Sequence, residues 1–185
     1  MLGYMFSDKP NVQRQIEYLV KKANNKFYVL LHIKRAGVNT NRLRDVYTSL
    51  IRLTLEYTSN VYHPQLSKGQ ANLLEKVQKK SLKAIYGYTK DYESILRESG
   101  IEKLDIRRDR NFKKFARKTV KNPKFMHWFP EKDHQRFTRR AESVEYLEEF
   151  SKSARLYNSP IFAMRRLLNN NPTPLDPGDL ANLFQ

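Results

Sequence analysis

The sequence predicts a mainly α-helical protein: an amphipathic bundle of about five helices followed by an irregular C-terminal extension. Three observations point there. Apolar residues recur at three- and four-residue spacings from Val12 to Val120, the period of one helix face. Helix punctuation falls between these runs, with Ser67-x-x-Gln70 in the form of a capping box and Gly37, Gly87 and Gly100 placed as stops. Only 39% of the residues are hydrophobic, so the core must be narrow and amphipathic helices must supply most of it.

The first helix is expected over residues 11–35. Val12, Ile16, Leu19, Val20, Ala23, Phe27, Leu30 and Leu31 form its stripe, Pro10 suits the first turn and Gly37 closes it. A second helix follows Asn39 and Thr40, either of which can cap it. Its stretch from Leu43 to Tyr62 is apolar nearly all round, which predicts a central helix covered on several sides. His63-Pro64 is expected to end it, because proline disfavours helical geometry in the residue before it.

Ser67 opens the third helix, which buries Leu74, Val77, Ser81, Ala84 and Ile85 and turns Lys76, Lys79, Lys80 and Lys83 outward. A short fourth helix runs over residues 91–99. The fifth starts near Leu104, stops before Pro123 and is expected to bury Phe112, Phe115, Ala116, Thr119 and Val120. Beyond it the pattern weakens. Trp128-Phe129-Pro130 reads as a hydrophobic plug in a loop, and residues 141–150 as a short acidic helix. Ser159-Pro160 can start a last helix through Leu168. The Asn- and Pro-rich end that follows is expected to fray.

Composition narrows the function. Lys and Arg number 35 against 19 Asp and Glu, a formal net charge of +16, which favours a polyanionic partner, nucleic acid or an anionic membrane surface. No apolar run is long enough to span a bilayer, and the start lacks the pattern of a signal peptide. An intracellular protein, nuclear or cytoplasmic, is therefore expected. With no Cys there is no disulfide, thiolate zinc site or thiol nucleophile. His32, His63, His127 and His134 are scattered without ligand spacing. Glu142, Glu145, Glu148 and Glu149 can share a helical face, which fits a solvated acidic surface better than a metal site. No phosphate-binding glycine loop, dinucleotide fingerprint or catalytic triad order is present. No cofactor, metal or catalytic residue is expected.

The positive charge is uneven. Arg107, Arg110, Lys113, Lys114, Arg117 and Lys121 band the fifth helix, and Lys76, Lys79, Lys80 and Lys83 band the third. Such bands bind phosphates by counterion release without reading bases. They also fit solvated faces that keep a protein soluble. Phe112 and Phe115 are able to stack on bases, but at i, i+3 spacing they read as core.

Several segments carry a family resemblance. Leu2-Gly3 and the helix containing Val20-Lys21-Lys22-Ala23 resemble the region just after the palm in reverse transcriptases of non-LTR, jockey-like retrotransposons. Tyr47-x-x-Leu50-Ile51-Arg52-x-x-Leu55-Glu56-Tyr57 and Leu74-Glu75-Lys76-Val77-Gln78-Lys79-Lys80 are similar to that family's next helices. Arg107-Arg108-Asp109 with Lys113-Lys114-Phe115 resembles a later basic block, and residues 154–160 its terminal signature. The resemblance covers nearly the whole chain. It implies the end of a palm-like strand or loop over residues 1–10 and a thumb-like bundle over 11–121. An irregular connection over 122–158 and a terminal helix with a flexible tail over 159–185 would follow.

By that resemblance the chain would be the non-catalytic part of an RNA-directed DNA polymerase. It would grip an RNA–DNA or DNA template–primer duplex and join upstream palm and fingers domains. Departures from the pattern are plain. No two Asp residues are adjacent, so the catalytic Tyr/Phe-Ala-Asp-Asp motif is missing. Tyr62 replaces a Trp, Phe162 replaces a Pro, and there is no Cys/His knuckle. The first two helices also resemble the N-terminal module of an AlkB-homologue dioxygenase and methyltransferase family, without the His-x-Asp…His iron triad. A protein-interaction or peripheral membrane helix bundle is the remaining alternative.

Overall fold

The computed structural model of the protein describes residues 12–130, 146 and 153–170. It is mainly helical, as the periodicity predicts. In order come α1 (Val12–Arg35), α2 (Thr40–Val46), a π-helical turn (Tyr47–Arg52), α3 (Leu53–Glu56), α4 (Ser59–Tyr62) and a 3₁₀ turn (His63–Gln65). Then follow α5 (Lys68–Tyr86), α6 (Tyr92–Ser99), α7 (Leu104–Val120), a second 3₁₀ turn (Pro123–Trp128), α8 (Ala154–Tyr157) and α9 (Pro160–Asn170). The chain divides into two compact units inside α7, after Phe112. The expected palm-like segment and the acidic helix over 141–150 lie outside the described residues, apart from Tyr146. So do the four glutamates 142, 145, 148 and 149, and the tail beyond residue 170.

In the first unit the local signals read from the sequence act as expected. Asn39 caps α2 by accepting from the Arg42 N–H at 2.9 Å. At the start of α5 the Ser67 Oγ accepts from Gln70 N–H, and Gln70 Oε1 accepts from Ser67 N–H. Gly37 at φ +81° and Gly100 at φ +66° end α1 and α6 in left-handed geometry, which costs glycine nothing and other residues about 1–2 kcal/mol. Helix α1 lies along α5 and against the π-turn and α3, and α6 packs on α5. Ile16, Leu19, Ala23, Phe27 and Leu30 of α1 meet Leu74, Val77, Leu82 and Ile85 of α5 in one buried cluster.

The second helix departs from expectation in two ways. It is not continuous to Tyr62, and it is not covered on several sides. Up to Leu55 its buried apolar members are Leu43, Tyr47, Ile51 and Leu55, with Thr54 buried beside them, whereas Leu53 is 59% and Tyr57 46% exposed. The buried apolar set repeats every four residues, and an α-helix overshoots a full turn by about 40° at each such step. The wider i→i+5 turn at Tyr47–Arg52 takes up that overshoot and holds all four on one face. After Glu56 the backbone leaves the helix: Tyr57 is extended in ψ and Thr58 sits at φ +58°. The carbonyl of Leu55, left over at the end of α3, accepts the buried Tyr62 hydroxyl at 2.5 Å. The α-helical stretch stops at Tyr62, where His63-Pro64 suggested, although His63 keeps helical angles and one 3₁₀ turn follows through Pro64 to Gln65.

Thr58 is the one non-glycine residue with positive φ among the described residues, and a β-branched side chain is badly suited to that region. Thr58→Gly should raise stability by about 0.5–1 kcal/mol, the left-handed penalty less the extra chain entropy of glycine. Thermal unfolding measures it, and an unchanged or lower Tm would contradict a strained Thr58.

In the second unit Ala116 and Thr119 are buried, while Phe115 is 37% exposed and Val120 half-buried. The buried side of α7 is thus narrower than expected, and Phe115 lies on its edge. The plug at Trp128-Phe129 is present: Phe129 is buried, and the Arg165 Nε of α9 donates to the Trp128 carbonyl at 2.7 Å. Asn169 bonds both backbone groups of Tyr146. The last helix runs through Asn170, two residues past the expected end at Leu168.

Candidate nucleic-acid interface

Helix α5 presents its basic residues on the side away from the buried stripe. Lys76, Lys79 and Lys80 are exposed and Lys83 is half-buried. Lys79 Nζ lies 5.6 Å from the Tyr92 ring centroid and Lys80 Nζ 4.5 Å from that of Phe27, so apolar rings hold the two side chains while their charged ends stay in solvent. Lys83 reaches the Tyr88 carbonyl at 3.4 Å. Lys76 and Lys79 line an open groove of about 560 Å³ together with Asn72, Tyr92, Lys103 and Asp105. Lys103 adds a third cation, and Glu75, Glu93 and Asp105 in the same lining balance the three. The hydrogen bond and ion pair of Lys103 with Glu93, at 2.6 Å, raise its pKa.

A buried polar network holds this groove in shape. The Tyr47 hydroxyl donates to Gln78 Oε1 at 2.6 Å, and Gln78 Nε2 donates to Tyr92 Oη and to the Glu102 carbonyl, each at 3.0 Å. Tyr92 in turn donates to Glu75 Oε1 at 2.5 Å, while the Leu104 N–H donates to Glu75 Oε2 at 3.0 Å. Gln78 is wholly buried. Burial, and for Tyr92 the bond to Glu75, raise the pKa values of Tyr47 and Tyr92 above the ordinary phenol, so both remain donors. Gln78 and Glu75 between them thereby tie the π-turn, α5, α6 and the start of α7 together.

The basic block of α7 is less uniform than its sequence. Arg107 donates to Glu56 at 2.5 Å, with the Glu56 side chain only 9% exposed. Arg110 pairs with Glu102 at 2.5 Å on the surface. Arg108, between them, is buried among core residues, and its Nε and Nη1 have no hydrogen-bond partner. Burial lowers its pKa, and burial and then Arg108 lower that of His63, whose ring lies tilted against that of Phe112 with centroids 5.4 Å apart. In the second unit Lys114 and Lys121 are exposed and Lys113 and Arg117 half-buried.

Of the ten residues singled out from the sequence, Lys76, Lys79, Lys80, Lys114 and Lys121 are thus exposed cations, and Arg107 and Arg110 are held in ion pairs. Two cations were missed. Lys118 is exposed one turn after Lys114, a spacing the sequence displays. Lys103 joins the groove only through the folded path of α6 and α7, for which no local signal exists. Among the described residues no cluster of three or more His, Asp or Glu is placed to hold a metal ion, and no helix is long and apolar enough to cross a membrane. No family model, curated protein or solved structure matches this chain.

Proposed function

We propose that this chain is a nucleic-acid-binding helical module that grips duplex through its phosphates. In this reading it is the thumb-like, non-catalytic part of an RNA-directed DNA polymerase whose carboxylates lie on other domains. The observation that carries the proposal is the row of exposed lysines on α5, Lys76, Lys79 and Lys80, on a rigidly networked helix in a chain of net charge +16. Lysines on a fixed helix meet rows of phosphates as point charges, and such contacts position a duplex without reading it. The wide, shallow minor groove of an RNA–DNA hybrid suits recognition of this kind, by shape and backbone. The lysines of α7, Lys114, Lys118 and Lys121, offer a second stretch of the same chemistry. The arginines Arg107 and Arg110, committed to Glu56 and Glu102, contribute less.

Titration of a labelled RNA–DNA duplex at several salt concentrations tests the reading. The logarithm of the binding constant should fall against that of salt with a slope of roughly −3 to −5. Replacing Lys76, Lys79 and Lys80 together by Glu should flatten the slope by about 3 and weaken binding equally for unrelated sequences. An unchanged affinity and slope in that variant would leave α5 a solvated face and remove the proposal's support.

A further inference from the structure

We infer that a second groove, between α1 and the π-turn–α3 segment, binds an unpaired stretch of nucleic acid through stacking on tyrosines. The groove encloses about 370 Å³ and shares no residue with the one beside α5. Tyr18, Lys22 and Lys26 stand at four-residue steps along α1 on one side, and Leu53, Thr54 and Tyr57 form the other. Tyr18 is 41% and Tyr57 46% exposed, an unusual display of ring surface on both walls of one cleft.

Charge decides what occupies it. The lining holds two lysines and no acidic residue. Lysine is depleted in protein–protein interfaces, whereas cations interleaved with exposed aromatics are the makings of a single-strand groove, in which rings take bases and ammonium groups take the backbone. Lys22 Nζ lies 5.7 Å from the Tyr18 ring centroid, so neighbouring side chains of one helix offer a base and its phosphate their separate partners. Lys26 is fixed differently: it donates to the Thr54 hydroxyl at 2.7 Å and to the Leu50 carbonyl at 3.1 Å. Those two bonds leave the third ammonium proton for a ligand and pin α1 to the segment it faces.

The backbone on the far wall is specialised as well. The π-turn sets the rotation at which Leu53 and Tyr57 emerge, and the left-handed Thr58 turns the chain away directly after Tyr57. Both are departures of the kind that concentrate at binding sites. The inference goes beyond duplex gripping, since it requires a strand with no partner, and it stands or falls separately from that reading.

The experiment uses the full chain and a fluorescent oligouridylate of about 12 nucleotides, within the site sizes of such grooves. Weak base pairing and self-structure make it a probe for stacking and backbone contact alone. The double variant Tyr18→Ala, Tyr57→Ala should lose about tenfold or more in affinity for it, while the Phe pair at the same positions binds like the wild type. Duplex affinity should stay unchanged in both. The α5 variant with Lys76, Lys79 and Lys80 replaced by Glu should show the reverse, losing duplex and retaining most single-strand binding. Loss of single-strand affinity with the Ala pair and its retention with the Phe pair supports the groove. Three results overturn it: no measurable binding of the oligouridylate, equal binding by the Ala pair and the wild type, or self-association of the wild type on a sizing column that the Ala pair abolishes. The last would make the face a contact between copies of the chain.

Discussion

Gln78→Leu should cost about 3–5 kcal/mol, a large part of the roughly 5–15 kcal/mol that holds a domain folded. The two side chains are of similar size, so packing changes little. What changes is the hydrogen bonding of groups that remain buried. The Tyr47 hydroxyl loses its acceptor, the Glu102 carbonyl loses its donor, and Tyr92 keeps only Glu75. Each orphaned group costs about 1–3 kcal/mol in desolvation without return. The double variant Gln78→Leu, Tyr47→Phe removes one orphan together with the side chain that made it, and should recover about 1–2 kcal/mol. Urea unfolding of the wild type, both single variants and the double variant gives the cycle. A loss below about 1 kcal/mol for Gln78→Leu would mean that water enters to serve the same groups.

Glu56→Ala should destabilise the protein by about 2–4 kcal/mol, out of proportion to a single ion pair. Glu56 is nearly buried and holds Arg107, and it is also one of the few negative charges close to the buried Arg108. Removing one member of a buried pair leaves its partner's charge uncompensated. Glu56→Gln keeps an acceptor for Arg107 and should lose less. Duplex binding offers an independent check: the salt slope of folded Glu56→Gln should match that of the wild type, because the pair serves the fold and the lysines serve the phosphates. A destabilisation under about 1 kcal/mol for Glu56→Ala would show that Arg107 finds solvent at little cost, as surface pairs do.

Much of the fold was legible because its signals are local. The stripe of α1, the Ser67–Gln70 box and the glycines after α1 and α6 each act within a turn or two of themselves, and each appears where it was read. The second helix was misread for a physical reason. Its apolar residues belong to two different surfaces, the buried Leu43–Leu55 row and the exposed Leu53 and Tyr57 of the groove, and their sum looks apolar all round. A π-turn has no composition of its own; its trace is the unbroken four-residue spacing of the buried row. The basic faces were legible, but not which cations stay exposed. Glu56 is far from Arg107 in sequence, and only the fold brings them together. Arg108 was not read as buried either, although Leu104, Arg108 and Phe112 share a four-residue spacing that is a local trace of its place.

The π-turn also bears on how this segment can change length. Deleting the exposed Ser49 would convert the buried spacing from Leu43 to Tyr47, Ile51 and Leu55 into the alternation of fours and threes that an ordinary α-helix carries on one face. The turn is in effect one surplus residue stored in a helix, and losing it keeps the register of both flanks. Adding a residue has no such outlet. Length variation here is therefore one-sided, and the shortened form would carry the same core with a differently shaped groove above it.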